Sequence, residues 1–267
     1  MKKIFLTGAS AGIGLATAKA LLARGHEVWG TSRDPVRVPQ LERLHAVALD
    51  LSEAGSLQPA FARAVAEADG FDVVINNAGS GHFGPAEFLP AETLRAQFEI
   101  LVFAPVQLCQ LALQQMHRQQ HGLIINVSSL ASRLPLPFTA AYNAGKAAIA
   151  SWTLTTQLEL GDSPIRIVDL QPGDIRTDFN AAIRKDETPD SSYGSRMQRA
   201  WDVIDRNMKT APKAELLAAR IARLVENSNP PPRVTVGDKF QTAIAPAIFS
   251  LLPPRARVWG LRQYYRI

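Results

Sequence analysis

Short apolar, β-branched runs alternate along the chain with longer stretches whose apolar residues recur every three or four positions. The runs predict strands over 3–6, 27–31, 46–48, 72–75, 123–127, 165–170 and 233–236. The longer stretches predict helices over 12–24, 53–68, 92–119, 139–160 and 213–226, because a period near 3.6 keeps one helix face apolar. Uninterrupted triplets such as Val73-Val74-Ile75 suit strands buried on both faces. Strands that take turns with helices build a parallel sheet with helices on both faces. Two regions fall outside the alternation. One is 174–210, polar and irregular around Pro189, Asp190, Tyr193 and Gly194; the other is the tail over 239–267. Neither is compositionally distinct enough to stand alone, so 1–267 reads as a single domain.

Composition narrows the class. The chain has 267 residues, 46% hydrophobic and 20% charged, enough apolar material for a full core and too much for a disordered or fibrous protein. Cys109 is the sole cysteine, which excludes an intrachain disulfide and a cysteine-based metal site; no metal is expected, and a reducing compartment is indicated. The net charge of +5 is local. Lys239, Arg255, Arg257, Arg262 and Arg266 occupy an acid-free tail, and the remaining chain balances 24 basic against 24 acidic residues. A nucleic-acid-binding face across the domain is therefore not expected. Met1-Lys2-Lys3 before Ile4-Phe5-Leu6 imitates a signal peptide, yet the apolar run breaks at Thr7-Gly8 and no cleavage site follows. The apolar stretch 243–252 contains Pro246 and is too short to span a bilayer. The expectation is a cytoplasmic protein.

Candidate chemistry starts where the first strand meets the first helix. Gly8, Ser10, Gly12, Ile13 and Gly14 lie in the junction Gly8-Ala9-Ser10-Ala11-Gly12-Ile13-Gly14. Glycines there permit a tight turn and let a pyrophosphate reach the free amides and positive dipole end of a helix. The same residues spell G-x-S-x-G, the nucleophile elbow of serine hydrolases. That chemistry needs an oxyanion loop upstream and a histidine late in the chain. Only seven residues precede Gly8, and the histidines are His26, His45, His82, His117 and His121, so the hydrolase reading fails on chain order. Where a ribose-binding carboxylate would stand, 18 residues after Gly14, the chain has Ser32 and then Arg33. A missing acid beside a guanidinium favours the 2′-phosphate of NADP(H) over NAD(H), although Arg33 also suits a solvated loop.

Further along stand Asn76-Asn77-Ala78-Gly79, Ser129, Tyr142-Asn143-Ala144-Gly145-Lys146 and Pro172-Gly173. Together with the glycine turn, their order and spacing resemble the classical short-chain dehydrogenase/reductase family over residues 3–178. The resemblance implies a doubly wound, Rossmann-type α/β fold, nicotinamide-dependent chemistry on carbonyls and alcohols, and homodimers or homotetramers. It also implies that Ser129 hydrogen-bonds the substrate oxygen. Asp50 would meet the adenine with Leu51 beside it, and Asn77, Ala78 and Gly79 would shape the adenosine side. Pro172, Gly173, Ile175 and Thr177 would lie by the nicotinamide and phosphates.

The acid–base chemistry follows from the residues themselves. Hydride transfer between a nicotinamide and a carbonyl needs a proton at the substrate oxygen, and a tyrosine with an ordinary pKa of about 10 is a poor base near neutrality. Lys146 lies one helical turn after Tyr142 on the same face, where its cation favours the tyrosinate. Ser129, Tyr142 and Lys146 are the candidate catalytic residues, the last two also bordering the cofactor.

The sequence departs from the family where a helical asparagine is usual, since that place in Phe98-Glu99-Ile100-Leu101-Val102-Phe103-Ala104 holds Leu101. Leucine cannot hydrogen-bond the water that links the family's lysine to solvent. Backbone carbonyls can hold that water, the proton can leave another way, or the chain can be an NADP-binding sensor or scaffold with weak or lost catalysis. Gly145, roughly 1 kcal/mol worse than alanine inside a helix, implies close approach of another group. Phe179, Met197, Trp201, Ile204, Leu134, Leu136 and Phe138 suggest a small lipophilic carbonyl or alcohol as substrate of a loop over 174–210. The helical spacing of Met197, Trp201 and Ile204 equally fits a helix packed on the sheet. The tail interleaves Leu251, Val258, Trp259, Leu261 and Tyr265 with its arginines. That pattern fits peripheral contact with an anionic membrane, and equally a tail packed on its own domain or a neighbouring subunit.

Overall fold

Among the described residues the chain forms nine strands: β1 (Lys3–Leu6), β2 (Glu27–Ser32), β3 (Leu44–Ala48), β4 (Val73–Asn76), β5 (His82–Phe83), β6 (Gly122–Val127), β7 (Ile165–Pro172), β8 (Arg184–Lys185) and β9 (Arg233–Val236). Seven pair in parallel in the order β3-β2-β1-β4-β6-β7-β9, and β5 pairs with β8 apart from them. The helices are α1 (Gly12–Leu22), α2 (Leu57–Ala68), α3 (Ala91–Phe98), α4 (Ala104–Gln119), α5 (Ala140–Leu160), α6 (Ser191–Thr210), α7 (Ala214–Glu226), α8 (Ala245–Leu251) and α9 (Pro254–Tyr265). This computed structural model describes residues 1–53, 55–177, 179, 183–185 and 191–267.

Strand alternation sorts the core into two layers. Ile4, Leu6, Val73, Ile75, Val168 and Leu170 point to the face covered by α1 and α7, where Ala18, Leu21, Leu217 and Ile221 meet them. Phe5, Val74, Ile124 and Ile167 take the other face, against Phe61 and Ala64 of α2 and Leu108 and Met116 of α4. Phe5 anchors an aromatic knot there, 5.1 Å edge-on from Phe61 and 5.3 Å from Phe71. Each such fully buried side chain contributes about 1.5–3 kcal/mol of transfer free energy, which is why strands without any polar alternation hold the centre of the sheet.

β1 lies between β2 and β4, so the chain winds to one edge and then crosses back to build the other. At that reversal the connections leave in opposite directions and open a crevice at the carboxyl ends. The continuous helical run Ala91–Gln119 is long and apolar enough to cross a bilayer. Its Leu101, Leu108, Cys109, Ala112 and Met116 are nevertheless buried inside the fold.

One expectation needs correction, and two features go beyond what the pattern disclosed. The helix anticipated over 92–119 is present as the run Ala91–Gln119, with a π-turn at Glu99–Phe103 inside it. Pro105 begins the next helix without an amide to donate, so the turn before it widens. The same device recurs in the tail, where the π-turn Phe240–Ile244 precedes Ala245-Pro246. The region 174–210 is not irregular throughout: α6 runs from Ser191 to Thr210. Its apolar residues meet a small separate cluster of Phe83, Leu136, Phe138, Leu261 and Tyr265, not the sheet. The tail after Gly237 is helical as well. The expectation for 174–210 falls partly on residues 178, 180–182 and 186–190, which lie outside the described ones.

Among the described glycines, the closest approach of another group falls at the first strand–helix junction. A Cβ on Gly14 would sit 1.9 Å from the Gly8 carbonyl oxygen and 2.7 Å from Asn77 Nδ2. Gly14→Ala is therefore expected to lower unfolding free energy by about 3 kcal/mol, measured by urea denaturation against the parent protein.

Candidate functional site

The crevice is built first by backbone. Thr7, just past β1, accepts the amides of Asn77 (2.9 Å) and Ala78 (3.0 Å) on its hydroxyl, while Asn77 Nδ2 donates to the Thr7 carbonyl at 2.9 Å. These bonds lace the ends of β1 and β4 together. Gly8 and Gly12 adopt left-handed φ values of 73° and 52°, which glycine reaches without Cβ strain. Ala11 caps α1 with no side-chain hydrogen bond, and the first turn has no acid. Its amides are thus available to an anion, and a Cβ on Gly12 would find Thr177 no closer than 3.7 Å. This arrangement fits a dinucleotide pyrophosphate.

The flanking candidates gather around that turn. The amide of Gly8 donates to Thr31 Oγ1 at 3.2 Å and that of Ala9 to the Thr31 carbonyl at 2.8 Å. The end of β2 is thereby fixed beside the glycines. Ser32 is buried at that end and Arg33 is exposed next to it. Asp50 follows β3, its Oδ1 accepting from Ser52 N (2.9 Å) and Ser52 Oγ (2.7 Å). Leu51 and Ile13 pack partly into the two core layers. Ile175 is buried in the layer between the sheet and α1 and α7, so its backbone, not its side chain, is what remains for a ligand. Gly173 donates to the Val236 carbonyl at 2.8 Å, holding the Pro172-Gly173 corner against β9.

Ser129, Tyr142 and Lys146 converge at the ends of β6 and α5. Ser129 starts the short turn Leu130–Ser132 with its Oγ accepting from Ala131 N at 3.0 Å, and its side chain lies near enough to the Tyr142 phenol to lower its pKa. Lys146 Nζ donates to the Val127 carbonyl at 2.7 Å and stands 5.9 Å from the Tyr142 ring centre. Burial pushes the Lys146 ammonium down to about 8, opposed by the charge of Asp169. Asp169 is itself fixed by the Ser128 hydroxyl, by Gln171 Nε2 at 2.8 Å and by Arg233 Nε at 2.8 Å.

Burial also raises the Tyr142 phenol; the Ser129 side chain lowers it, and the negative charge of Asp174 raises it further. Lys146 does not figure among the causes of that shift. The amine is turned to the Val127 carbonyl, and desolvation dominates.

The π-turn explains the leucine. Leu101, 1% exposed, lies against Gly145, where an added Cβ would meet Leu101 Cβ at 3.1 Å. Gly79 opens the adjoining space, since a Cβ there would reach Leu101 Cδ2 at 3.5 Å and Lys146 Nζ at 3.9 Å. The group whose approach Gly145 implied is therefore Leu101 itself. Beneath it, Asn76 Nδ2 donates to Asn126 Oδ1 (2.8 Å) and Asn126 Nδ2 to Thr153 Oγ1 (2.8 Å). Burial pushes the neighbouring Cys109 thiol up to about 12, so it stays protonated.

Asp174 belongs to the site although its chemistry was not singled out in the sequence. Gln241 grips it twice, donating from Nε2 to Asp174 Oδ2 at 2.6 Å and accepting the Asp174 amide on Oε1 at 3.1 Å. Burial raises its pKa, and hydrogen bonds from Gln241 and Asn207 oppose the rise. An acid directly after Pro172-Gly173 among apolar residues was the available signal. The apolar wall comes from Phe179, whose ring is 6.1 Å from that of Tyr142, and from the cluster of Phe83, Leu136, Phe138, Met197 and Tyr265.

Comparisons with known proteins agree with this geometry. A family model described as short chain dehydrogenase matches residues 2–188. The chain is 31% identical over 266 residues to the 3-ketodihydrosphingosine reductase of Bacteroides thetaiotaomicron, covering 99% of this chain and 98% of that one. It is 28% identical over 256 residues to the NADPH-dependent 3-dehydrocapnine reductase of Ornithobacterium rhinotracheale, covering 90% of this chain and 89% of the other. The crystal structure of a short-chain dehydrogenase from Streptomyces avermitilis superposes with a TM-score of 0.83 at 27% identity, covering 100% of this chain and 99% of that one.

Because the Asp174 charge works against ionisation of the phenol, Asp174→Asn should move the Tyr142 titration to lower pH. Tyrosinate absorbance compared between the parent protein, Asp174→Asn and Tyr142→Phe checks this.

Proposed function

Because the chain belongs to the short-chain dehydrogenase family and is an oxidoreductase of it, we propose that it transfers hydride between NADP(H) and a small lipophilic carbonyl or alcohol. The observation that carries the reading is the gathering of three side chains: Ser129 acts on the Tyr142 phenol, and buried Lys146, one turn further on, stands 5.9 Å from the Tyr142 ring centre. Bound in the crevice, the nicotinamide would supply or accept the hydride. Gly8, Ser10, Gly12, Ile13 and Gly14 would hold the pyrophosphate, with Asn77, Ala78, Gly79, Asp50 and Leu51 along the adenosine side. Pro172, Gly173, Ile175 and Thr177 would border the nicotinamide end.

Tyr142 gives the proton to the substrate oxygen in reduction and takes it in oxidation, and Ser129 polarises that oxygen. A phenol held above its ordinary range stays protonated at neutral pH, the form that can donate to the substrate oxygen. Lys146 keeps a positive charge beside the reacting centre below about 8 and orients the ribose. Ser32 and Arg33, with no carboxylate in their place, support NADP(H) over NAD(H). The apolar wall supports a lipophilic substrate, a ketone of the kind named for the Bacteroides and Ornithobacterium relatives. Exposed Phe103, Leu154 and Leu158 support a homodimer or homotetramer, and the single buried cysteine supports a cytoplasmic setting. The sensor or scaffold reading that Leu101 motivates is not favoured. The leucine fills the space left by Gly145 and Gly79 and leaves the Ser129–Tyr142 contact in place.

Tyr142→Phe is expected to lower NADPH-dependent turnover by about a hundred- to ten-thousandfold while NADPH binding, followed by fluorescence, persists. Unchanged turnover would overturn the mechanism. Arg33→Ala should raise the KM for NADPH about ten- to a hundredfold, the loss of one charge-assisted hydrogen bond, and leave that for NADH unmoved. Equal effects on the two coenzymes would defeat the assignment.

A further inference from the structure

The C-terminal helices present a surface that the chemistry above does not use. Phe240, Ile244, Ile248 and Leu251 follow at intervals of four, four and three along the helical run Phe240–Leu251, so they share one side. The first three are half-exposed and Leu251 is 86% exposed. On α9, Val258 and Trp259 are exposed as well, Trp259 at 65%. The same segment carries Lys239, Arg255, Arg257, Arg262 and Arg266 and no acidic side chain between 239 and 267. Among the described residues none of the five forms an ion pair. Arg255, Trp259 and Arg262 line an open groove of about 540 Å³. Arg257 has a different task, donating to the Ser250 and Leu252 carbonyls and so tying α8 to α9.

The inner side of the same segment is part of the cleft. Gln241 holds Asp174, and Tyr265 is buried with Phe83 and Met197 in the apolar wall.

We propose that the outer face of 239–267 seats on an anionic lipid surface, with Phe240, Ile244, Ile248 and Leu251 entering the acyl boundary and Arg255 and Arg262 meeting headgroup phosphates. Exposed aliphatic and aromatic side chains on a segment whose cations meet no acidic side chain are the composition that such a boundary selects. A second copy of the chain fits less well, because a two-fold pairing would set two acid-free basic surfaces against each other. The proposal deepens the lipophilic-substrate reading and rests on it in one respect. A substrate dissolved in the bilayer would reach the cleft along the helices that form both its wall and its lipid contact.

The test uses the full chain with phosphatidylcholine vesicles, with and without phosphatidylglycerol. Cosedimentation is expected with the anionic vesicles alone and is weakened by salt. Arg255→Gln with Arg262→Gln should reduce it about fivefold per charge. Brominated lipid should quench fluorescence in the parent protein and much less in Trp259→Phe. Absence of binding, or equal binding to neutral vesicles unaffected by the arginine variants, would overturn the proposal. So would a concentration-dependent self-association that the same variants abolish, which would make the surface a subunit interface. Turnover of a water-soluble ketone with NADPH, measured on every variant, should be unchanged. Its loss in the parent protein with lipid binding intact would sink the catalytic reading instead.

Discussion

Everything at the site depends on how closely the chain passes itself after β1. Gly14 approaches the Gly8 carbonyl so tightly that a methyl group would lie 1.9 Å from that oxygen. This contact brings α1 down onto the end of the sheet with its first amides uncapped. Leu21 and Ala18 keep the helix there by packing on Ile4 and Leu6, and the Thr7 hydroxyl ties the turn after β4 to the same point. A positive helix end, two strand ends and the crevice between them are thus set by one steric condition. A side chain at Gly14 would act on all three.

Electrostatics at the other wall of the crevice follow from dehydration more than from charge pairing. Burial is the largest influence on Tyr142, Lys146 and Asp174 alike, raising the first and third and lowering the second. Each shift disfavours the charged form, as expected in a low-dielectric pocket. The opposing contributions are local and specific: Ser129 for the phenol, Asp169 for the amine, Gln241 and Asn207 for the acid. Leu101 strengthens this regime by filling with methyl groups the space next to Lys146. The amine then relies on the Val127 carbonyl for its hydrogen bond. Water admitted to or expelled from the cleft therefore alters all three groups together.

What the sequence disclosed is what burial on two faces writes into it. Val73-Val74-Ile75 could be read as a strand because every one of those residues is buried. Strand ends were less legible. β2, β4 and β7 run on to Ser32, Asn76 and Pro172, because pairing with the neighbouring strand, not hydropathy, decides where extension stops. The π-turn at Glu99–Phe103 left only one trace, the proline after it, which breaks no hydrophobic pattern. α6 was obscured because its apolar side meets a small cluster and the rest of the helix is polar. The Tyr142–Lys146 spacing was plain, but the direction in which Lys146 points was not. A four-residue interval fixes a shared helix face and says nothing about the Val127 carbonyl that captures the amine.

The tail shows why a segment rich in apolar residues can be both core and surface. Tyr265 and Leu261 turn inward to Met197 and Phe83, while Val258 and Trp259 on the same helix remain exposed. An exposed indole beside exposed Val258 leaves apolar area in water on that side of the helix. A helix that only met an outside surface would not place a tyrosine in the wall beside Asp174. Gln241, on the turn before α8, holds Asp174, and Arg257 of α9 braces α8 through the Ser250 and Leu252 carbonyls. The clamp on Asp174 and the buried Tyr265 thus belong to the same stretch of chain as the exposed Trp259.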